Sequence, residues 1–213
     1  MAFGVVTFDQ LNQLVGMKRS EAFIDYFAPM KISEERKSKR IRLAEHLYEE
    51  FLYMMSYMFY AYPHIDANMA YELRDRYIQQ LEILGLASMA AVDQANKFAF
   101  DVVDATMRHS DDPYFYSADR ARLCAEDQSN NIYDMSDFAD AAQMGYTHKT
   151  WETVGDNRVR DTHEEIAGVT LPLEEPFVLA GGLMQHPHDD SLGVDDSELC
   201  GCRCSLSFSY GEE

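Results

Sequence analysis

The pattern of apolar residues changes along the chain from a helical period to a strand-like one. Apolar residues recur at positions 41, 44, 47, 48, 51, 55, 58, 59 and 62, which is the three- and four-residue spacing of a helix. Ser33 is a good N-cap and Pro63 ends the pattern, so we predict a helix over about 36–60. Its apolar face widens toward Tyr62, which implies burial by other helices or by another subunit.

Three more helices are predicted before residue 145, each between a capping residue and a turn. They cover residues 66–85, 88–109 and 117–145, and an interruption of the last one near Asn130 and Asn131 is left open. Short connections between four helices favour an antiparallel bundle. Residues 1–30 are weakly patterned and fit either a short helix or an arm that docks on a partner.

After Gly145 the composition changes to that of a small domain with strands and loops. Strands are predicted over 146–154, over 177–179 and, closing the chain, over 202–210, with an acidic loop over 187–196. The sequence therefore predicts an α+β fold. It consists of an N-terminal antiparallel helical bundle over 1–145, of which 1–30 is the candidate docking arm, and a small mixed α/β domain over 146–213.

The charge is strongly acidic and unevenly distributed. The formal net charge is −19, yet residues 1–42 hold eight Lys and Arg against five Asp and Glu. Broad binding to nucleic acid or to anionic lipid is therefore disfavoured by repulsion. One basic run could contact phosphate or an acidic partner, although such a run is more often a solvated helix face; its cations are Arg36, Lys37, Lys39, Arg40 and Arg42.

The cysteines and the apolar runs indicate a soluble chain made in the cytosol. Three of the four cysteines fall within five residues, which is unlike the disulfide framework of a secreted domain. The first fifteen residues lack the pattern of a signal peptide. The most apolar run, 51–62, is too short to span a bilayer.

Residues 155–163, GDNRVRDTH, carry the densest set of side chains able to hydrogen-bond or transfer protons. Arg158 and Arg160 would share one face of an extended chain, and Thr162 would cap a helical turn that contains His163. His163 could act as a general base oriented by Asp156. The alternative is a network of Asp156 with the arginines that fixes a turn, and it leads because no nucleophile or phosphate-binding loop is evident.

The residue types of a zinc site are present near the end of the chain. In a strand, Cys200, Cys202 and Cys204 would share a face and could join His163, with His186 or His188 as a further ligand. The spacing matches no standard zinc template. The alternative is that the cysteines are small packing residues, so no cofactor is required and zinc is the only candidate.

The ordered string from Trp151 to Gly168, W-x-T-x-G-D-x-R-V-R-x-x-H-x-x-x-x-G, resembles the domain of phage Mu protein F and related head morphogenesis proteins of tailed phages. Met184-x-x-Pro187-x-Asp189 follows, then Glu198, and the string ends with Cys202-Arg203-Cys204, here called the CRC segment. With Arg120, Arg122 and Glu126 the similarity covers about residues 117–208. It implies a structural network of Trp151, Asp156, Arg158, Arg160, His163, Glu198, Cys202, Arg203 and Cys204.

Three departures from the family pattern bear on these residues. Gly201 replaces an Asn that often precedes CRC, and Cys200 is additional. His188-Asp189-Asp190 stands where relatives often have Gly-Asp-Pro. Cys124-Ala125-Glu126 replaces the more usual Ala-Arg-Thr-Glu.

The resemblance implies a minor head, or minor capsid, protein rather than an enzyme. Such a protein is present in the virion, at the portal vertex or capsid interior, and in the host cytoplasm during assembly. Its expected partners are the portal protein, the major capsid protein or further copies of itself, with weak duplex DNA contact at most and no membrane. The competing hypothesis is a small metal-dependent hydrolase that uses His163, Asp156 and the cysteine cluster.

Overall fold

The computed structural model describes residues 21–211, in which helices precede a strand-rich part. Residues 21–27 are helical, and residues 1–20 of the predicted docking arm lie outside the described range. The helices that follow are α1 (Glu34–Ala61), α2 (Ala67–Ile83), α3 (Met89–Arg108), a 3-10 turn (Pro113–Tyr116) and α4 (Ala118–Gln143). The predicted α+β class is confirmed, while the antiparallel arrangement of the bundle stays a prediction.

The four long helices begin where their capping residues predict. The side chains of Ser33, Asp66, Ser88 and Ser117 each accept a hydrogen bond from a backbone N–H of the first turn. This satisfies one of the donors that a helix leaves unpaired at its start. The interruption considered near Asn130 is absent, because α4 is continuous and the Asn130 side chain is bonded within the protein interior.

The strand-rich part contains two small antiparallel sheets. Strands β2 (Thr170–Pro172), β1 (His148–Glu152) and β5 (Ser205–Ser209) form one sheet in that order, and β3 (Phe177–Leu179) pairs with β4 (Gly182–Met184) in the other. Two short helices, α5 (Asp161–Glu165) and α6 (Asp196–Leu199), lie between strands. β2 and β4 are not among the predicted strands, since three residues are too few to show an alternating pattern.

Two boundaries differ from the prediction for physical reasons. The closing strand begins at Ser205, because Gly201 adopts a positive φ of 70° and the chain turns before it pairs with β1. The cap position of α5 is Arg160 rather than Thr162. The Thr162 hydroxyl donates to Glu198 instead, at 2.8 Å.

Two apolar cores are present, one in each part. Phe51, Tyr77 and Phe98 lie at the centre of the helical core, with ring centroids 4.7–5.8 Å apart. Residues 23, 26, 27 and 30 of the segment before α1 are buried in the same core. The second core surrounds Trp151 and Phe177.

A buried polar cluster joins α1 to α4. The Arg40 side chain has no exposed surface, and its guanidinium donates to Asp134 at 2.7 Å, to Asp137 at 3.0 Å and to Asn130 at 3.2 Å. Burying these charges costs desolvation free energy, which their mutual attraction offsets. Removal of one partner would leave the other charge buried and uncompensated. The cluster therefore fixes the register of α1 against α4.

Within residues 21–211, no helix is long and apolar enough to cross a bilayer. α1, the helix with the widest predicted apolar face, carries charged residues over its first half.

We predict that Arg40→Ala lowers the free energy of unfolding by about 3–5 kcal/mol, because Asp134 and Asp137 lose their buried cation. Urea denaturation followed by circular dichroism measures the change.

Lys39→Ala is the matched control. Lys39 is the preceding residue of α1, and its pair with Glu35 is exposed on both sides. Its loss should change stability by less than about 1 kcal/mol. Equal losses in the two variants would contradict the role given to the buried cluster.

Candidate functional site

The string from Trp151 to Gly168 forms a strand, a tight turn and a short helix. Gly155 has a φ of 73°, a conformation that side-chain-bearing residues rarely adopt. The Asp156 carboxylate accepts a hydrogen bond from the Arg158 N–H at 3.0 Å, and the Val159 N–H donates to the Asp156 carbonyl at 3.1 Å. These bonds turn the chain so that α5 lies against the CRC segment.

Asp156 is paired with Arg203 of the CRC segment. The Arg203 Nη2 donates to Asp156 Oδ1 at 2.8 Å. This bond, with the Arg158 N–H, lowers the pKa of Asp156 below its usual value. The Arg203 side chain is buried, whereas that of Asp156 is 38% exposed. The turn and the CRC segment are thus joined by one partly buried ion pair.

The two arginines of the string, Arg158 and Arg160, make contacts other than the predicted side-chain bonds to Asp156. The Arg160 guanidinium donates to the carbonyl oxygen of Cys200. Arg158 is exposed, and its contact with Asp156 is made through its backbone N–H. The predicted network of Asp156 with both arginines is replaced by a pair with Arg203, because Arg203 is the cation that the turn brings within reach of the carboxylate.

His163, Cys202 and Cys204 lie together in the interior. His163 Nδ1 is 3.6 Å from Cys202 Sγ and 3.4 Å from Cys204 Sγ, and all three side chains are buried. The Cys204 thiol and burial together raise the pKa of the Cys202 thiol well above its usual value. The three atoms form a compact set of one imidazole nitrogen and two sulfurs.

Glu198 lies on the opposite side of the His163 ring. Its Oε2 is 3.1 Å from His163 Nε2, at too bent an angle for a good hydrogen bond, and it accepts the Thr162 hydroxyl. A Cβ added to Gly181 would lie 2.7 Å from Glu198 Cγ, so only glycine leaves room for this carboxylate. Glu198 therefore has a fixed place beside the imidazole.

Trp151 covers the same histidine from the second core. Its ring meets the His163 ring edge-on, with centroids 5.4 Å apart, and it packs against Phe177 in the same way at 5.1 Å. The indole is completely buried. Water is thereby excluded from this side of His163.

A small cavity opens between the turn and the CRC segment. Its volume is about 10 Å³, close to the space that one water molecule needs. Its lining includes the His163, Cys202 and Cys204 cluster and three cationic side chains, those of Arg158, Arg160 and Arg203. The cavity suits a single small molecule or ion.

Cys200, His186 and His188 are not brought to this cluster. Cys200 is exposed at the end of α6, because the segment before Ser205 turns instead of forming a strand on which the three cysteines share a face. His186 Nδ1 contacts the Pro187 carbonyl at 2.9 Å. Asp156, the acid of the hydrolase hypothesis, is engaged with Arg203.

His188 belongs to the cluster around Asp134. Its Nδ1 lies 3.2 Å from Asp134 Oδ2, and Asp127 lies on its other side at 3.9 Å. Burial opposes the charged form of the ring, but the bond to Asp134 and the surrounding groups Asp127, Asp134 and Cys202 together outweigh it, and the pKa of His188 is raised to about 9. The loop after β4 is held to α4 by this pair.

Four of the five cations of the basic run are paired within the chain. Arg36 pairs with Asp137, Lys37 with Glu34 and Lys39 with Glu35. Arg40 is buried, so it does not belong to any contact with a nucleic acid or partner in this fold. Arg42 is exposed.

Of the helix residues named by the resemblance, Arg120 and Glu126 are buried. Arg120 donates to the Thr106 hydroxyl at 2.7 Å and to the Phe115 carbonyl at 2.8 Å. Glu126 pairs with Arg122 at 2.9 Å, and burial raises the pKa of Glu126 to about 7. Asp189 accepts the N–H groups of Gln185 and Ser191, which shapes the loop next to His188.

Three residues that matter to the site were not predicted. Asn130 and Tyr26 both donate to the Cys202 carbonyl, at 3.2 and 3.0 Å. Lys149 is completely buried, donates to the Gln185 carbonyl at 2.9 Å and has its pKa lowered to about 8 by burial. Strand alternation could have placed Lys149 on the face of Trp151, because the two are separated by one residue.

We predict that Asp156→Ala destabilises the protein by about 1–2 kcal/mol, because buried Arg203 loses its anion while solvent screens part of the loss. Asp156→Asn, which keeps the oxygen acceptor, should lose less. Chemical unfolding of the three proteins measures the order. Wild-type stability in the alanine variant would show that Arg203 is satisfied without Asp156.

Comparison with known proteins agrees with this architecture. The family model described as "Phage Mu protein F like protein" matches residues 69–207, from α2 into β5. No curated protein and no solved structure matches the chain. The match covers more than half of the chain and contains the turn, the His163 cluster and the CRC segment. This chain therefore belongs to the phage Mu protein F like family, whose members are phage head morphogenesis proteins.

Proposed function

We propose that this protein is a minor head protein of a tailed phage that associates with the portal vertex and assists head assembly or genome packaging and delivery. The observation that carries the proposal is the family match over residues 69–207. The protein would then act in the virion, at the portal or on the inner capsid wall, and in the host cytoplasm during assembly.

The contacts of the motif residues support a structural role. Arg203 forms an ion pair with Asp156. Arg160 donates a hydrogen bond to the Cys200 carbonyl, and Asn130 donates one to the Cys202 carbonyl. Each of these bonds fixes one segment of the fold against another. Because the motif residues are engaged in contacts within the protein, a partner would bind elsewhere on the surface.

An exposed aromatic surface at the end of α1 is the best candidate for a partner contact. It consists of Tyr53, Tyr57, Phe59, Tyr60 and Tyr62, which are 39–84% exposed. Aromatic residues dominate the energetics of protein interfaces, and neighbouring exposed ones mark such sites. Its position agrees with the widened apolar face predicted for this helix.

Protein is a better partner for this chain than duplex DNA. The net charge is −19, and most cations of the basic run lie in internal ion pairs, among them Arg36 with Asp137 and Lys39 with Glu35. Binding to DNA depends on unpaired cationic side chains, which neutralise phosphates and so release counterions from the DNA. We therefore propose the portal protein as the partner that covers the aromatic surface.

Co-expression with the portal protein of the same phage, followed by nuclease treatment and size-exclusion chromatography, tests both proposals. We expect the two proteins to co-elute. Tyr60→Ala should weaken the complex by about 30-fold, the loss typical of an interface hot spot. Met89→Ala is the matched control, since both side chains are 84% exposed and Met89 lies on another helix.

The outcomes distinguish the proposed function from the proposed contact surface. If the wild-type protein elutes apart from the portal protein, association with the portal vertex is refuted. If Tyr60→Ala and Met89→Ala bind alike, the function stands and the aromatic surface is not the contact. Self-association of the isolated protein that Tyr60→Ala abolishes would assign the surface to a second copy.

A further inference from the structure

We propose that His163 Nδ1, Cys202 Sγ and Cys204 Sγ bind one zinc ion. The three ligand atoms lie within 4.8 Å of one another, and all three side chains are buried. Zn–S and Zn–N bonds of about 2.3 and 2.1 Å at a tetrahedral angle place sulfur and nitrogen about 3.6 Å apart. The two measured N–S distances are 3.4 and 3.6 Å. The imidazole nitrogen thus already stands at the separation from each sulfur that zinc requires.

The chemistry of the donors selects the kind of metal. Two sulfurs and one imidazole suit a soft or borderline ion such as Zn²⁺, whereas Mg²⁺ and Ca²⁺ prefer oxygen ligands. The alternative is that the two thiols share the imidazole as a hydrogen-bond acceptor. A single nitrogen lone pair can take only one S–H, yet both sulfurs lie at nearly the same distance from it.

The backbone around the sulfurs is fixed from the helical part. The Cys202 carbonyl accepts from Tyr26 and Asn130, and the Gly201 N–H donates to Asp127 at 2.8 Å. Arg203 points to Asp156, so the cysteines on either side of it both turn toward His163. The ligand set is therefore held in place by contacts that do not depend on a metal.

Glu198 has the place of the outer partner of a zinc-bound histidine. In ligating histidines the N–H of the second ring nitrogen commonly donates a hydrogen bond to a carboxylate, which fixes the ring and strengthens the ligand. Glu198 Oε2 lies 3.1 Å from His163 Nε2 and is itself held by Thr162 at 2.8 Å.

The cavity of about 10 Å³ is lined by all three ligand residues and offers room for a fourth ligand. That volume fits one water molecule or a small anion. Two thiolates neutralise the charge of Zn²⁺, and Arg158, Arg160 and Arg203 on the wall favour an anionic fourth ligand. We assign the site three protein ligands and one exchangeable ligand on the arginine side.

Elemental analysis of the full chain, purified under reducing conditions from zinc-supplemented cells, tests the site. We expect about one zinc per chain, and its loss in Cys202→Ser and in Cys204→Ser. Cys200→Ser and Cys124→Ser are matched controls, because these two free cysteines lie outside the cluster. Both controls should keep the metal.

The affinity of Glu198→Gln provides a second measurement that does not require loss of a ligand. Competition with a chromophoric chelator should show zinc binding weakened by about 10- to 100-fold. If the ligand variants do not fold, this affinity and the sulfur-to-metal charge-transfer band of the cobalt-loaded wild-type protein decide the question. A chain with four reduced thiols that binds no zinc, or equal zinc loss in Cys200→Ser and Cys202→Ser, would overturn the proposal.

Discussion

The buried ion pair between Arg40 and Asp134 is the constraint on which the rest of the structure depends. Arg40 has no exposed surface and Asp134 almost none, so neither charge can be satisfied by water. Asp134 also holds His188, and Asn130, one turn earlier on α4, accepts from Arg40 and donates to the Cys202 carbonyl. One face of α4 thus positions α1, the loop after β4 and the CRC segment together.

The residues of the Trp151–Gly168 string make a second set of contacts, which join the turn at Gly155 to the CRC segment. The turn at Gly155 delivers Asp156 to Arg203, and the same turn starts the short helix that carries His163. His163 meets two sulfurs whose backbone is held by α4 and by Tyr26. The string of family residues is therefore one connected structure in which each segment fixes the next. Its location inside the protein, away from the exposed aromatic surface, separates the stabilising part of the molecule from the part proposed to bind.

The helical half could be predicted from the sequence because its signals are local. Ser33, Asp66 and Ser88 cap helices where the apolar spacing begins, and a period of 3.6 over four turns or more is hard to mistake. The short strands β2 and β4 could not be predicted, since three residues show no period. Neither could the partner of Asp156, because Arg203 is 47 residues away and only the tertiary fold brings it near.

Only part of the candidate site could be predicted, because its arrangement depends on tertiary structure. Residue types identified His163 with the cysteines, but the choice of Cys202 and Cys204 over Cys200 depends on a backbone turn at Gly201. The polar residues of α4 carry a further signal of the buried network in the sequence. Glu126, Asn130 and Asp134 recur every four residues, which places them on one helix face. Such a polar stripe within a buried helix indicates a satisfied network rather than an interruption.

The central claim is that the polar face of α4 makes the helical and strand-rich parts one cooperative unit. Trp151 is the only tryptophan of the chain and lies in the second core, so its fluorescence reports the strand-rich part, while far-UV circular dichroism reports the helices. Unfolding in urea should give coincident transitions by the two signals. A tryptophan transition that is complete at lower urea, with the helical signal still native, would contradict the account.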